Sequence, residues 1–158
     1  MKYQRLTREQ LEELHIEFIN FLAAQSITAE EWNDIKANKP EVAEQELDVF
    51  SDLIWEGVLG KVTFLDHISP YSMQLFKIGE KAMSLIAIKV TNKQYDLTQP
   101  EGFAWFQENL MDESIELYTA SKGFSDDKKA DIFQLILQGA SISKGELYTS
   151  LDNFMKAR

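Results

Sequence analysis

The spacing of apolar residues changes near Gly60, and this change limits the fold more than any other feature. Before Gly60, apolar residues recur about every 3.6 positions, which is typical of amphipathic helices. After Gly60, β-branched and aromatic runs such as KVTFLDHIS indicate strands. This order predicts an α+β fold, with N-terminal helices packed with a small antiparallel sheet and C-terminal helices.

Helix-start signals divide the first 60 residues. Thr7 with Gln10, and Thr28 with Glu31, have the spacing of capping boxes, in which two side chains satisfy the free amides at a helix start. Pro40 suits a first helical position and disfavours helix in the residue before it. The pattern therefore predicts three helices, over residues 8–24, 28–39 and 40–59.

Residues 61–158 mix both kinds of element. The patterns predict strands over residues 62–67, 73–78, 82–90 and 114–121. They predict helices after a third capping box (Thr98 with Glu101), from Ser125 to Leu137, and over 144–156. We expect one domain over residues 1–158, with a seam near residue 60 between a helical part, 1–60, and a mixed α/β part, 61–158.

Charge and composition narrow the function. The net charge is −10, and residues 1–60 carry 13 acids against 5 bases. Nucleic acid and anionic lipid are bound through Lys and Arg, so we expect no direct nucleic-acid binding and no membrane binding. The chain has no cysteine, which excludes thiol chemistry. The first ten residues lack the apolar run of a signal peptide, and we expect a cytoplasmic protein.

The stretch LEELHIEF contains the strongest catalytic-looking signal. Glu12 and His15 form E-x-x-H, a helical spacing found in di-metal carboxylate proteins. Such a site needs a second E-x-x-H, and the only other histidine, His67, has no acid three residues earlier. A mononuclear site built from Glu12, His15, Asp66 and His67 is the remaining alternative. On a helical wheel, His15 lies on the apolar side, so we predict that it packs in the core, and we expect no metal and no cofactor.

No other catalytic motif is present. The chain lacks G-x-G-x-x-G, a phosphate-binding G-x-x-x-x-G-K and a G-x-S-x-G nucleophile elbow. The polar stretch Thr119–Lys128 admits two interpretations. It either lines a pocket beyond the end of a strand or consists of turn and helix-cap residues.

The helix predicted over residues 40–59 carries the most informative surface. Glu44, Asp48, Asp52 and Glu56 recur at i+4, and no Lys or Arg lies between Pro40 and Lys61, so the predicted repulsion is unrelieved within the helix. Trp55 falls inside the acidic face and suits an anchor for a basic partner. We predict a partner-binding surface of Glu44, Asp48, Asp52, Trp55 and Glu56. The alternative is a solvated face with Trp55 packed beneath a neighbouring element.

Three stretches of the chain resemble a family of small uncharacterised acidic bacterial proteins with a domain of unknown function. They are RLTREQLEELHIEFINFLAAQSITAEEW, PEVAEQELDVFSDLIWEGVL and FSDDKKADIFQLILQGASISKGELY. This resemblance implies no activity and no site residues. We expect a non-enzymatic protein-interaction module that binds a basic protein surface or self-associates. The alternative is a small metal-dependent enzyme that uses His15 and His67 with carboxylates.

Overall fold

The computed structural model describes residues 1–158. It contains seven helices and one five-stranded antiparallel sheet, so the predicted α+β class is confirmed. The chain divides into two compact units, residues 1–60 and residues 61–158. That the chain behaves as one domain stays a prediction.

The first unit is helical. Its four helices are α1 (Arg8–Glu13), α2 (His15–Ala24), α3 (Ala29–Asn38) and α4 (Pro40–Leu59). The capping box of Thr7 and Gln10 is confirmed, and α4 has the predicted bounds. The prediction of one helix over residues 8–24 is wrong, because Leu14, at φ −99° and ψ 21°, separates α1 from α2.

An aromatic cluster forms the centre of this unit. Phe50 of α4 is 1% exposed, and its ring centroid lies 5.0 Å from that of Phe18 and 5.4 Å from that of Phe21, both on α2. Trp32 of α3 meets Phe18 edge to face. Because these rings come from three helices, burial of their apolar area stabilises the helical unit.

The second unit contains the sheet. Its strands are β1 (Phe64–Ser69), β2 (Ser72–Ile78), β3 (Ala82–Val90), β4 (Ile115–Gly123) and β5 (Ser141–Ser143), in the spatial order β4-β3-β2-β1-β5. Its helices are α5 (Pro100–Glu108), α6 (Lys128–Leu137) and α7 (Glu146–Lys156). The three-residue β5 has too short a pattern to be recognised in the sequence. The capping box predicted at Thr98 is wrong, since Thr98 donates to Asp96 and Gln99 precedes α5.

The two faces of the sheet are covered differently. On one face, alternate residues of β2 and β3 pack with α5 and α7 into a continuous apolar core. That core consists of Met73, Leu75, Ile86, Ile88, Val90, Leu97, Phe106, Tyr148 and Leu151. On the other face, α6 and the sheet enclose a groove beside β4, the edge strand. None of the seven helices has the length and apolar character that crossing a bilayer requires.

Candidate functional site

The acidic face of α4 is in contact with residues 2–6, which we call the N-terminal segment. These residues precede α1 and are not helical. The next residue, Thr7, caps α1 with its side chain. All five residues predicted as a partner-binding surface lie on α4, and each of them contacts the N-terminal segment.

Asp52 and Glu56 contact the first part of the segment. The Asp52 carboxylate accepts the backbone N–H groups of Lys2 and Tyr3, at 2.7 and 2.9 Å. Glu56 Oε1 accepts from the Tyr3 hydroxyl at 2.6 Å and pairs with Lys2 Nζ at 3.2 Å. One carboxylate therefore binds the backbone and the next binds the side chains of the same two residues.

Arg5 contacts the next two carboxylates of the acidic face, Asp48 and Glu44. Asp48 Oδ1 accepts from Arg5 Nε at 2.7 Å and lies 2.6 Å from Nη2. The same Nη2 lies 2.8 Å from Glu44 Oε2 and donates to the Glu44 carbonyl oxygen at 3.0 Å. The guanidinium fork thus spans one turn of α4, a geometry that an ammonium group would not reproduce.

Trp55 and Ser51 of α4 bind the backbone of the segment. The indole Nε1–H of Trp55 donates to the Gln4 carbonyl oxygen at 3.1 Å. Leu6 is 6% exposed, and its N–H donates to the Oγ of Ser51, which is fully buried. The Trp55 side chain therefore contacts the N-terminal segment. The sequence suggested either an exposed anchor for a partner or packing under a neighbouring element.

The protonation equilibria favour the paired state. Burial lowers the pKa of Arg5, but hydrogen bonds to Asp48 and Glu44 outweigh it and leave the pKa above its ordinary value. Burial and the hydrogen bond to Glu56 raise the pKa of the Tyr3 hydroxyl. Near neutral pH, Arg5 is charged and Tyr3 remains a hydrogen-bond donor.

The residues of the metal alternative are distributed over both units. Glu12 and His15 belong to the helical unit, whereas Asp66 and His67 lie on β1 in the sheet unit. No group of three or more His, Cys, Asp or Glu side chains in residues 1–158 could hold a metal ion. The prediction that His15 packs in the core is wrong: the side chain is exposed and its Nδ1 lies 3.1 Å from the Glu12 carbonyl oxygen. Phe18, Phe21 and Leu22 form the inward side of α2, as the wheel indicated, but His15 is the first residue of α2 and precedes the part of the helix that packs against Phe50.

The polar stretch after β4 contributes to a groove of about 430 Å³. Its lining comes from β2, β3, β4 and α6, together with Ser125. Ser125 donates through its N–H and hydroxyl to Asp131, and Asp127 caps α6. Pocket-lining and cap residues are thus both present in Thr119–Lys128.

Comparison with known proteins identifies a family. The model of a family of unknown function (DUF6495) matches residues 1–156. The chain belongs to this family. No curated protein and no solved structure matches the chain. The predicted resemblance to an uncharacterised family is confirmed, and its bacterial character stays a prediction.

In this member of DUF6495, the sequence patterns did not predict the cations that contact the acidic face of α4. The prediction of unrelieved repulsion considered only residues 40–61, whereas Lys2 and Arg5 approach from more than 40 positions away. Their spacing of three was visible in MKYQRL, next to an otherwise acidic unit. No local sequence pattern, however, indicates that these two residues contact α4.

Proposed function

We propose that this protein is a non-enzymatic protein-interaction module whose α4 face binds a basic, extended segment of a partner protein. The observation that carries the proposal is the mode in which α4 holds its own N-terminal segment. Five side chains on one helix face contact a short non-helical peptide through both its backbone and its cations. A partner segment of the same chemistry would displace the N-terminal segment from α4 and make the same contacts.

The contacts specify the kind of segment that fits. Asp52 and Trp55 bind backbone groups, which any extended peptide offers. Glu56 and Asp48 bind cationic side chains three positions apart, Lys2 and Arg5 in this chain. The proposed ligand is therefore a peptide with the pattern cation-aromatic-x-cation, and the expected binding weakens with salt because the ion pairs are partly exposed.

The energetic balance supports exchange. In the Arg5 pairs, Arg5 is 30%, Asp48 36% and Glu44 64% exposed, so each pair contributes about 0.2–1 kcal/mol. Ordering each residue of the segment costs about 1–2 kcal/mol of backbone entropy. Because these amounts are comparable, the ion pairs of Arg5 alone do not hold the segment strongly, and we propose that a competing peptide replaces residues 2–5.

The test uses full-length protein and a labelled peptide with the sequence MKYQRLT. In the variant Lys2→Ala with Arg5→Ala, the internal competitor loses its cations, and we expect the peptide to bind at least about fivefold more tightly than to the parent. Adding Asp48→Asn and Asp52→Asn should abolish binding. Fluorescence anisotropy measures affinity, and circular dichroism checks the fold of each variant.

A peptide in which both cations are replaced by glutamate is the matched control. Equal binding of the two peptides to the Lys2→Ala, Arg5→Ala variant would show that the α4 face does not recognise cations, and the proposal would then fail. The setting we propose is the cytoplasm of a bacterial cell. A direct role in binding nucleic acid is not part of the proposal.

A further inference from the structure

Strand β4 forms a long open edge of the sheet. It has nine residues, pairs on one side with β3, and is the terminal strand of the order β4-β3-β2-β1-β5. No backbone hydrogen bond joins residues 116–123 to a segment other than β3. The opposite edge, β5, has only three residues. An exposed edge of this length presents a row of unpaired N–H and C=O groups, which is a template for another strand.

The side chains of β4 are complementary to those of a second β4 in antiparallel orientation. If Thr119 of one copy lies opposite Thr119 of the other, Glu116 of each copy lies opposite Lys122 of the other. Glu116 and Lys122 share one face of the sheet, since alternate residues of a strand point to the same side. The register thus brings two opposite-charge pairs together around a two-fold axis, and Thr faces Thr at its centre.

The groove beside β4 fits the same register. Tyr118 is 55% exposed, and antiparallel pairing about Thr119 places it opposite Ala120 of the second copy. Ala120 lines the groove together with Met83, Leu85 and residues of α6. Each Tyr118 ring would therefore cover the groove of the other copy, with apolar area buried on both sides of the axis.

We propose that two copies of this chain associate through antiparallel pairing of β4 with β4, centred on Thr119, to form a continuous ten-stranded sheet. The surface belongs to the sheet unit, whereas the α4 face belongs to the helical unit. Glu116 already lies opposite Lys89 of β3, so in the pair it would lie between two lysines. The contact is smaller than a standard protein interface, and we expect an equilibrium that depends on concentration.

Charge reversal tests the register. Sedimentation velocity is measured from about 1 µM to about 1 mM, the range in which small interfaces dissociate. Glu116→Lys or Lys122→Glu alone converts two attractive pairs into two repulsive ones, and each should weaken dimerisation roughly 10-fold or more. The double variant E116K/K122E restores opposite charges across the axis and should recover the dimer. Lys77→Glu, at an exposed lysine of the internal strand β2, is the matched control and should have no effect.

Cross-linking gives a second, independent measurement because the chain has no cysteine. Thr119→Cys should form a disulfide-linked dimer under mild oxidation, since residues directly opposite in a sheet have Cα atoms about 4.5–5.5 Å apart. Ser121→Cys lies on the same face but about 13 Å from its own copy along the strand, so it should not cross-link. A monomeric parent at the highest concentration, or a Ser121→Cys dimer without a Thr119→Cys dimer, would overturn the proposal.

Discussion

The pairing of Arg5 with Asp48 gives a prediction that separates the observed structure from a helix face exposed only to solvent. The two side chains are distant in sequence, and Asp48 Oδ1 accepts a hydrogen bond from Arg5 Nε and lies 2.6 Å from Nη2 of the same guanidinium. Truncating either residue alone changes several contacts at once. A double-mutant cycle with Arg5→Ala and Asp48→Ala isolates the energy of this pair.

The size of the coupling follows from the geometry. Arg5 is 30% and Asp48 36% exposed, so the pair lies near the upper end of the range for surface ion pairs, about 1 kcal/mol. The fork geometry with two short contacts adds to this, while solvent and salt screen it. We expect a favourable coupling of about 0.5–1.5 kcal/mol at low salt, and a smaller one in about 1 M salt.

Urea unfolding of the four proteins measures the coupling as a difference of free energies of unfolding. Arg5→Ala with Glu41→Ala is the matched control, since Glu41 is an exposed acid on the first turn of α4. Those two changes should add without coupling. If Asp48 and Glu41 give the same coupling to Arg5, within about 0.3 kcal/mol, then Arg5 acts only through general attraction to an acidic helix, and the specific pairing is refuted.

Two further predictions concern buried or half-buried polar groups. Ser51→Ala should lower the free energy of unfolding by about 1–3 kcal/mol, because the buried N–H of Leu6 loses its acceptor. Thermal melts measure this loss. The comparison is Ser51→Thr, which keeps a hydroxyl. Burial raises the pKa of Asp66 above 3.8, although a hydrogen bond from Ser143 opposes the shift. A raised acid pKa means that the folded state binds the proton more tightly than the unfolded state, so stability falls as pH rises above about 3.8. Asp66→Asn, which can still accept from Ser143, should therefore melt higher than the parent at pH 7, and the difference should shrink below the unfolded carboxyl pKa. An advantage of Asp66→Asn that persists unchanged under acid conditions would contradict this cause.

Local patterns determined most of the secondary structure. The bounds of α4 and β3 agree with the sequence patterns at both ends, because a proline start, a change of period and a turn are properties of neighbouring residues. The carboxylates of α4 share one face for the same reason, since i+4 spacing on a helix is fixed by backbone geometry. That these acids and Trp55 belong to one surface was therefore predictable.

Tertiary structure decided what that surface contacts. The cations that meet it come from the N-terminal segment, and bringing distant residues together depends on burial of Leu6 and on loop closure, neither of which has a local signature. His15 illustrates the same limit on a smaller scale. Its E-x-x-H spacing is visible in the sequence, but its exposure depends on its place at the start of α2 and on how α2 packs against Phe50. Periodicity specifies which residues share a face of an element, whereas the partner of that face is chosen by long-range packing, because only the folded chain brings the two together.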